Sequence, residues 1–335
     1  MKHGTTSARL DGGDVRHTLK SIWARYRRRL SRCQRRLTED ALHDMRVQAR
    51  RLLACVEVLS PIAGGLAESA AIRMSLRKRL SALGPLRDAQ VHLRDFVGAL
   101  EAHPEISPLL HVLRRRERRL LKSARSKLDR TGTRKLGRRI ARFSDRLAAG
   151  LADADAPEKL RGAFARTVAE ALAGLNRESQ ADFRDHDAVH AVRVSLKQLR
   201  YGAECLPTEM RSIRPAELKR VRKFVSWMGR IHDVEVQLVR MEKLIAKGHL
   251  PRIRAKSYRT ELTRRRAALI RECLAFLRRG RSPRVLKSAP TDPVVRRSRS
   301  KTIAGNSIPA GPIGVANVGG RPNVKPSASA SSLRG

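Results

Sequence analysis

ALHDMRVQARRLLACVEVL, residues 41–59, decides how the rest of the chain is read. At 3.6 residues per turn, His43, Arg46, Arg50 and Glu57 fall within about 60° of one another on a helix. Leu42, Met45, Ala49, Leu52, Leu53, Val56 and Leu59 fill an apolar arc beside them, at about 160° to 280° from His43. A solvated face stands opposite the core. This basic edge flanks the core instead, so it is placed to line a groove where helices meet. The arrangement returns as AVHAVRVSLKQLRYGAECL, residues 188–206. There Arg193, Lys197 and Glu204 sit beside His190, and Val189, Val192, Leu196, Leu199, Ala203 and Leu206 form the apolar arc. Arg200 joins the basic edge at the border of the arc, and Tyr201 lies on the other side of His190.

The two copies are in register. At an offset of 147 residues, His43 matches His190, Arg46 matches Arg193, Arg50 matches Lys197 and Glu57 matches Glu204. A second pair of motifs follows in the same order: LGPLRDAQV (83–91) and MGRIHDVEV (228–236), with Gly84 over Gly229 and Asp88 over Asp233 at an offset of 145. Similar motifs in the same order at nearly one offset predict a duplicated helical unit. If both units turn their basic edges to one channel, packed like charges call for a ligand that supplies the counter-charge.

Composition points the same way. The chain has 335 residues, with 73 Lys+Arg against 31 Asp+Glu, and a formal net charge of +42. Such a charge repels itself in the folded state, so the expected partner is a polyanion: nucleic acid, an anionic surface or a phosphate polymer. Arg outnumbers Lys, which suits bidentate contact with phosphate oxygens, although a GC-rich genome gives the same bias. Aromatic residues are only 3%, too few for a base-stacking platform. Cys33, Cys55, Cys205 and Cys273 form no CxxC pair and read as small buried residues of a reducing compartment. There is no apolar leader and no run of 18 apolar residues, so neither a secretion signal nor a membrane span is expected, and the expected location is the cytoplasm.

From Asp14 to Arg279 the apolar spacing is helical throughout and the predicted fold is all-α. Helices are expected at 14–37, 40–59, 66–83, 86–101, 106–129 and 134–150, then at 158–178, 187–206, 214–228, 231–247 and 252–279. ADADAP (152–157) divides the chain into repeat halves at about 14–150 and 158–279, preceded by a flexible segment, 1–13. Residues 280–335 are rich in Ser, Pro, Gly and basic residues and read as a disordered basic tail. The tail holds ten Lys/Arg and one Asp, so most of the net charge belongs to the helical body.

Other readings of the same residues stay open. His43 and His190 fit either a ligand contact or a structural bond to a backbone carbonyl or acid. A metal is not expected, because neither has a His, Cys or paired carboxylate at i+3 or i+4. Asp88 and Asp233 suit orienting the basic residues better than catalysis. No Walker A loop, HExxH, GxSxG or triad spacing is present, and neither an enzyme nor a cofactor is expected. Non-specific binding of DNA or RNA, especially by the tail, is the competing function, and an accessory factor or enzyme of polyphosphate metabolism is the third reading.

The pattern HxxRVxxRRL (His43 to Leu52) followed by LGxxRD (Leu83 to Asp88) resembles the CHAD domain, a histidine-containing α-helical domain. HxxRVxxKxLRYxxE (His190 to Glu204), followed by Gly-xxx-Asp (Gly229 to Asp233), resembles that family's other repeat. The resemblance spans about residues 14–279. It implies two four-helix-bundle-like halves related by a pseudo-twofold axis. It also implies binding of inorganic polyphosphate in a basic channel between them and, in some members, association with polyphosphate granules. The site residues it implies are His43, Arg46, Arg50, His190, Arg193, Lys197 and Arg200, with Arg77, Arg87 and Arg222 carried over from positions near the Gly elements. MGRIHD departs from the family's usual LG start. The ExExK signature of the triphosphate tunnel hydrolase domain, which many CHAD proteins carry, is missing from the sequence.

Overall fold

The apolar spacing read from the sequence produces helices almost without interruption. The computed structural model describes residues 12–276, apart from 65, 181–182, 184–185, 208–210, 212 and 214. Among the described residues there are ten α-helices: α1 (Gly12–Arg35), α2 (Glu39–Ala63), α3 (Leu66–Ala82), α4 (Gly84–Ala99), α5 (Ser107–Asp129), α6 (Arg134–Leu151), α7 (Ala156–Gln180), α8 (His186–Ala203), α9 (Pro215–Ala246) and α10 (Lys256–Phe276). A short 3₁₀ turn, Pro104–Ile106, leads into α5, and no strand is present among these residues. The expected tail, 280–335, and most of the expected N-terminal segment, 1–13, lie outside the described residues.

The first motif helix, α2, is defined at both ends by local chemistry. The Thr38 side chain accepts a hydrogen bond from the Ala41 backbone N–H at 3.2 Å, and Glu39 and Asp40 place acid in the first turn, where the helix dipole favours it. Pro61 does not stop the helix at Leu59, as the sequence reading expected. It sits in the last turn, and the helix ends two residues later against Gly64, whose φ of 61° is the left-handed C-cap conformation.

The apolar arcs are buried as the wheel placed them except at Leu53, which is only partly buried and lines the cleft between α2 and α8. Leu42, Met45, Ala49, Leu52, Val56 and Leu59 of α2, and Val189, Val192, Leu196, Leu199 and Ala203 of α8 with Leu206 just beyond it, all belong to one continuous core. That core pulls α2 to the centre, where it packs on α1, α3, α4, α6, α7 and α8. The second motif helix, α8, packs on α2, α7 and α9, and α9 packs on α10 and α4. All four cysteines are buried free thiols, as expected from their helical positions. The ends of α2 and α6 approach closely at Gly150: a Cβ there would lie 2.1 Å from the Ile62 carbonyl oxygen, so only glycine fits.

One expectation is corrected. Residues 214–228 and 231–247 are not two helices but the single 32-residue α9. The first copy does break, between Ala82 and Gly84, and the reason is Pro85. Proline lacks the N–H that would continue α3 and fits the first turn of α4, where that N–H is not needed. The second copy has Arg230 in its place. Gly229 alone costs a helix only about 1 kcal/mol, so the helix runs through. The halves therefore differ in helix number, six before ADADAP and four after it among the described residues.

Candidate anion-binding cleft

Direct packing of α2 on α8 brings the two basic edges together. The matched glutamates brace the contact. Glu57 of α2 accepts a hydrogen bond from Gln198 Nε2 of α8, and Glu204, just past α8, pairs with Arg51 Nε of α2 at 3.0 Å. Residues 51 and 198 are themselves equivalent in the repeat, so each copy gives the other the same contact that it receives.

Beside these braces lies a cavity of about 260 Å³. Arg50 and Glu57 line it from α2, and His190, Arg193, Lys197 and Tyr201 line it from α8. Burial and the Arg193 and Arg50 guanidiniums push the Lys197 ammonium down to about 7. Arg193 is also shifted down, by burial first, although Asp233 at 3.9 Å opposes the shift. Its Nε is buried without a hydrogen-bond partner. These cations hold more positive charge than the neighbouring carboxylates neutralise. Around such a cleft an oxyanion is favoured, because it removes the mutual repulsion and accepts the unpaired N–H groups.

His43 is exposed on the same edge of α2, and burial with Arg87, Arg50 and Lys197 lowers its pKa. Arg46 points inward instead. It is 9% exposed, and its Nη1 donates to the Leu80 carbonyl at 2.6 Å, capping the last turn of α3. Burial and Arg50 bring its pKa down to about 10. Arg87 donates to Glu39 at 2.6 Å at the start of α2, which fixes it close to His43. Arg200 lies over the Tyr201 ring, 4.5 Å from its centroid, and near Glu204. Arg77 is outside the cleft: it is exposed and pairs with the outer side of Glu57 at 2.7 Å. Arg222 is exposed on α9 and does not line the cleft. The structure thus gathers Arg50, His190, Arg193 and Lys197 at the opening, with His43 and Arg87 beside it. It gives Arg46 and Arg200 supporting contacts.

The second Gly-Asp element repeats the first with one exchange. A Cβ on Gly84 would lie 3.9 Å from the Arg46 guanidinium, and one on Gly229 would lie 3.9 Å from that of Arg193. Asp88 acts electrostatically on Arg46 as Asp233 does on Arg193. Where the first copy has Arg87, the second has His232, whose ring is 4.8 Å from that of His190. Sequence reasoning did not assign His232 a place at the site. Its position opposite Arg87 in LGPLRD and MGRIHD was the available signal. Gln198, the partner of Glu57, carried no signal at all.

Among the described residues no cluster of three His, Cys, Asp or Glu is placed to hold a metal ion. No helix is long and apolar enough to cross a membrane. The family model described as "CHAD domain" matches residues 18–242. The crystal structure of the CHAD domain from the plant Ricinus communis is similar in fold, with a TM-score of 0.53 and 16% sequence identity over 83% of this chain and 91% of that one. No curated protein matches this chain significantly in sequence.

Proposed function

This chain belongs to the CHAD domain family, and from that premise we propose that it binds inorganic polyphosphate, without turning it over, in the cleft between α2 and α8. The CHAD domain is associated with polyphosphate binding. The observation that carries the reading for this chain is Lys197. An ammonium whose pKa is brought down to about 7 by burial, Arg193 and Arg50, in an opening lined by both motif helices, is a group suited to an anion. A flexible chain of phosphates meets the cations one after another. Arg50 and Arg193 form charge-assisted hydrogen bonds to its oxygens, Lys197 supplies a point charge, and His43 and His190 donate from the rim. Association with polyphosphate granules follows as part of the same proposal, and a granule-bound protein would be recruited by this cleft.

Counterion release makes the binding salt dependent. Arg50→Ala/Lys197→Ala is the variant of choice, because both side chains are half-buried and neither caps a helix. With two fewer phosphate contacts, the slope of log K against log salt falls by about 1.4, on the scale of single-stranded polyanions. An unchanged slope at unchanged affinity contradicts the reading. Shortening of the polymer during incubation with a divalent metal contradicts the absence of turnover.

One observation favours nucleic acid as a second reading. The outer face of α1 forms an open groove of about 950 Å³ lined by Arg25, Arg27, Arg28, Arg29, Arg32 and Arg35. It suits non-specific contact with a nucleic-acid backbone. Several of these arginines already have partners, Arg25 with Ser21 and Arg29 with Asp44, so polyphosphate in the α2/α8 cleft is the leading reading.

A further inference from the structure

His92 is used by nothing described so far. It lies on α4, 7% exposed, and neither ring nitrogen has a hydrogen-bond partner. Leaving a buried polar group unpaired costs about 1–3 kcal/mol, and an apolar residue at this position would cost nothing of the kind. The groups that act on His92 electrostatically are Arg240 of α9 and Arg116 of α5, both cations. Each has its Nε buried without a partner. Arg240 and Arg116 also repel one another. Burial and the two guanidiniums drive the His92 imidazole down to about 4, so at neutral pH it is uncharged and keeps one N–H to give.

Three helices thus bring together an unpaired imidazole and two unpaired guanidinium Nε–H groups. No carboxylate acts on His92 itself; the one that acts on Arg116, Asp88, is shared with Arg46, Arg50 and Arg87. The set matches a tetrahedral oxyanion, which has several acceptor oxygens and brings the missing negative charge. The arginines are partly exposed, so the cluster reaches the surface. It also adjoins the cleft. Asp88, one turn before His92 on α4, feels Arg46, Arg116, Arg50 and Arg87 together, which links the two groups of cations.

We propose that His92, Arg116 and Arg240 form a second phosphate subsite, which takes a phosphate group of the same polyphosphate chain that occupies the α2/α8 cleft. This rests on the polyphosphate reading above. The subsite extends the path of the bound polymer from α2/α8 onto α4, α5 and α9, so chains long enough to reach both places bind more tightly than short ones.

The test follows the His92 ring in the full chain, with ¹⁵N-labelled histidine and His92→Gln to assign its signals. Long-chain polyphosphate, tripolyphosphate and inorganic phosphate are titrated at equal phosphate concentration and neutral pH, with calorimetry in parallel. The expected result is a shift of the His92 ring with the long chain and little or none with inorganic phosphate. Arg116→Gln/Arg240→Gln then lowers affinity for the long chain by at least about tenfold and leaves tripolyphosphate binding in the cleft unchanged. Asp88 loses Arg116 in this variant but keeps Arg46, Arg50 and Arg87, so the melting temperature is expected to change little. A long chain that binds by calorimetry while the His92 ring stays unmoved overturns the subsite. An equal response to inorganic phosphate overturns the assignment to the polymer. If the long chain fails to bind at all, the cleft reading and the shared path fail together, and that outcome is told apart from the first by calorimetry alone.

Discussion

Lys197 offers a prediction that generic charge attraction does not make. Its pKa is about 7 in the unliganded protein, against an ordinary 10.5, because burial, Arg193 and Arg50 disfavour the charged form. Bound phosphate supplies the counter-charge and restores the ammonium. Binding therefore takes up a proton: about 0.1 per site at pH 6, 0.5 at pH 7 and 0.9 at pH 8, if the bound lysine is fully charged. The sign follows directly. Below pH 7 the free protein already carries the charge, and above it each binding event must recruit a proton, so affinity falls as pH rises. Integrated from pH 6 to pH 8, the loss is about tenfold, or about 1.4 kcal/mol. His43, whose pKa is also lowered, adds to the effect in the same direction at the acid end. Calorimetry in two non-phosphate buffers of different ionisation enthalpy reads the proton uptake. Lys197→Arg keeps the charge but removes the titration, and is expected to bind with a flatter pH profile. Proton uptake that does not grow from pH 6 to pH 8, or an unchanged profile in Lys197→Arg, rules out the coupling of binding to Lys197 protonation.

Other outcomes follow from particular contacts. Gly150→Ala pushes a methyl group onto the Ile62 carbonyl and is expected to cost about 1–3 kcal/mol in chemical denaturation, whereas Gly84→Ala, with only an ordinary contact to Arg46, is expected to be nearly neutral. Arg230→Pro places in the second copy the residue that breaks the first, and is expected to cost about 3 kcal/mol or more and to lower helical content by circular dichroism. Arg46→Ala removes the cap on Leu80 and is expected to lower the melting temperature, so its binding defect is accompanied by a folding defect; Lys197→Met is expected to weaken binding while raising the melting temperature, because it removes a repelled cation.

What the sequence made legible was whatever depends on period. The apolar arcs of both motif helices, Leu53 apart, belong to one core, and the flanking edges meet because α2 packs directly on α8. The motif pairing was legible as far as one matched contact: Arg46 lies by Gly84 as Arg193 lies by Gly229. What the wheel left out was depth. It placed Arg46 and Arg50 on one edge. A difference of one turn leaves Arg50 in the cleft and buries Arg46 against α3, because the C-terminal carbonyls of α3 pass beneath it. Proline chemistry set the break at Pro85. Carrying that break to Gly229 by analogy failed because glycine alone does not end a helix. Arg222 was placed by its distance before Gly229, and with α9 continuous that distance leads to an exposed face. Gln198, Arg116 and Arg240 matter through partners far away in sequence, so no local pattern marks them.

The proposed polyphosphate site is built from two copies of one helical motif. The most direct measurement is competition for the full chain at pH 6, where Lys197 is charged, and about 0.15 M salt. Labelled long-chain polyphosphate is displaced by duplex DNA, by RNA or by unlabelled polyphosphate at equal phosphate concentration, in the natural protein and in Arg50→Ala/Lys197→Ala. Unlabelled polyphosphate is expected to displace the label far better than either nucleic acid, and the double variant is expected to lose this preference. Equal displacement by DNA or RNA, with the variant binding as before, would contradict the proposed site and would assign the charge to the surface arginines of α1.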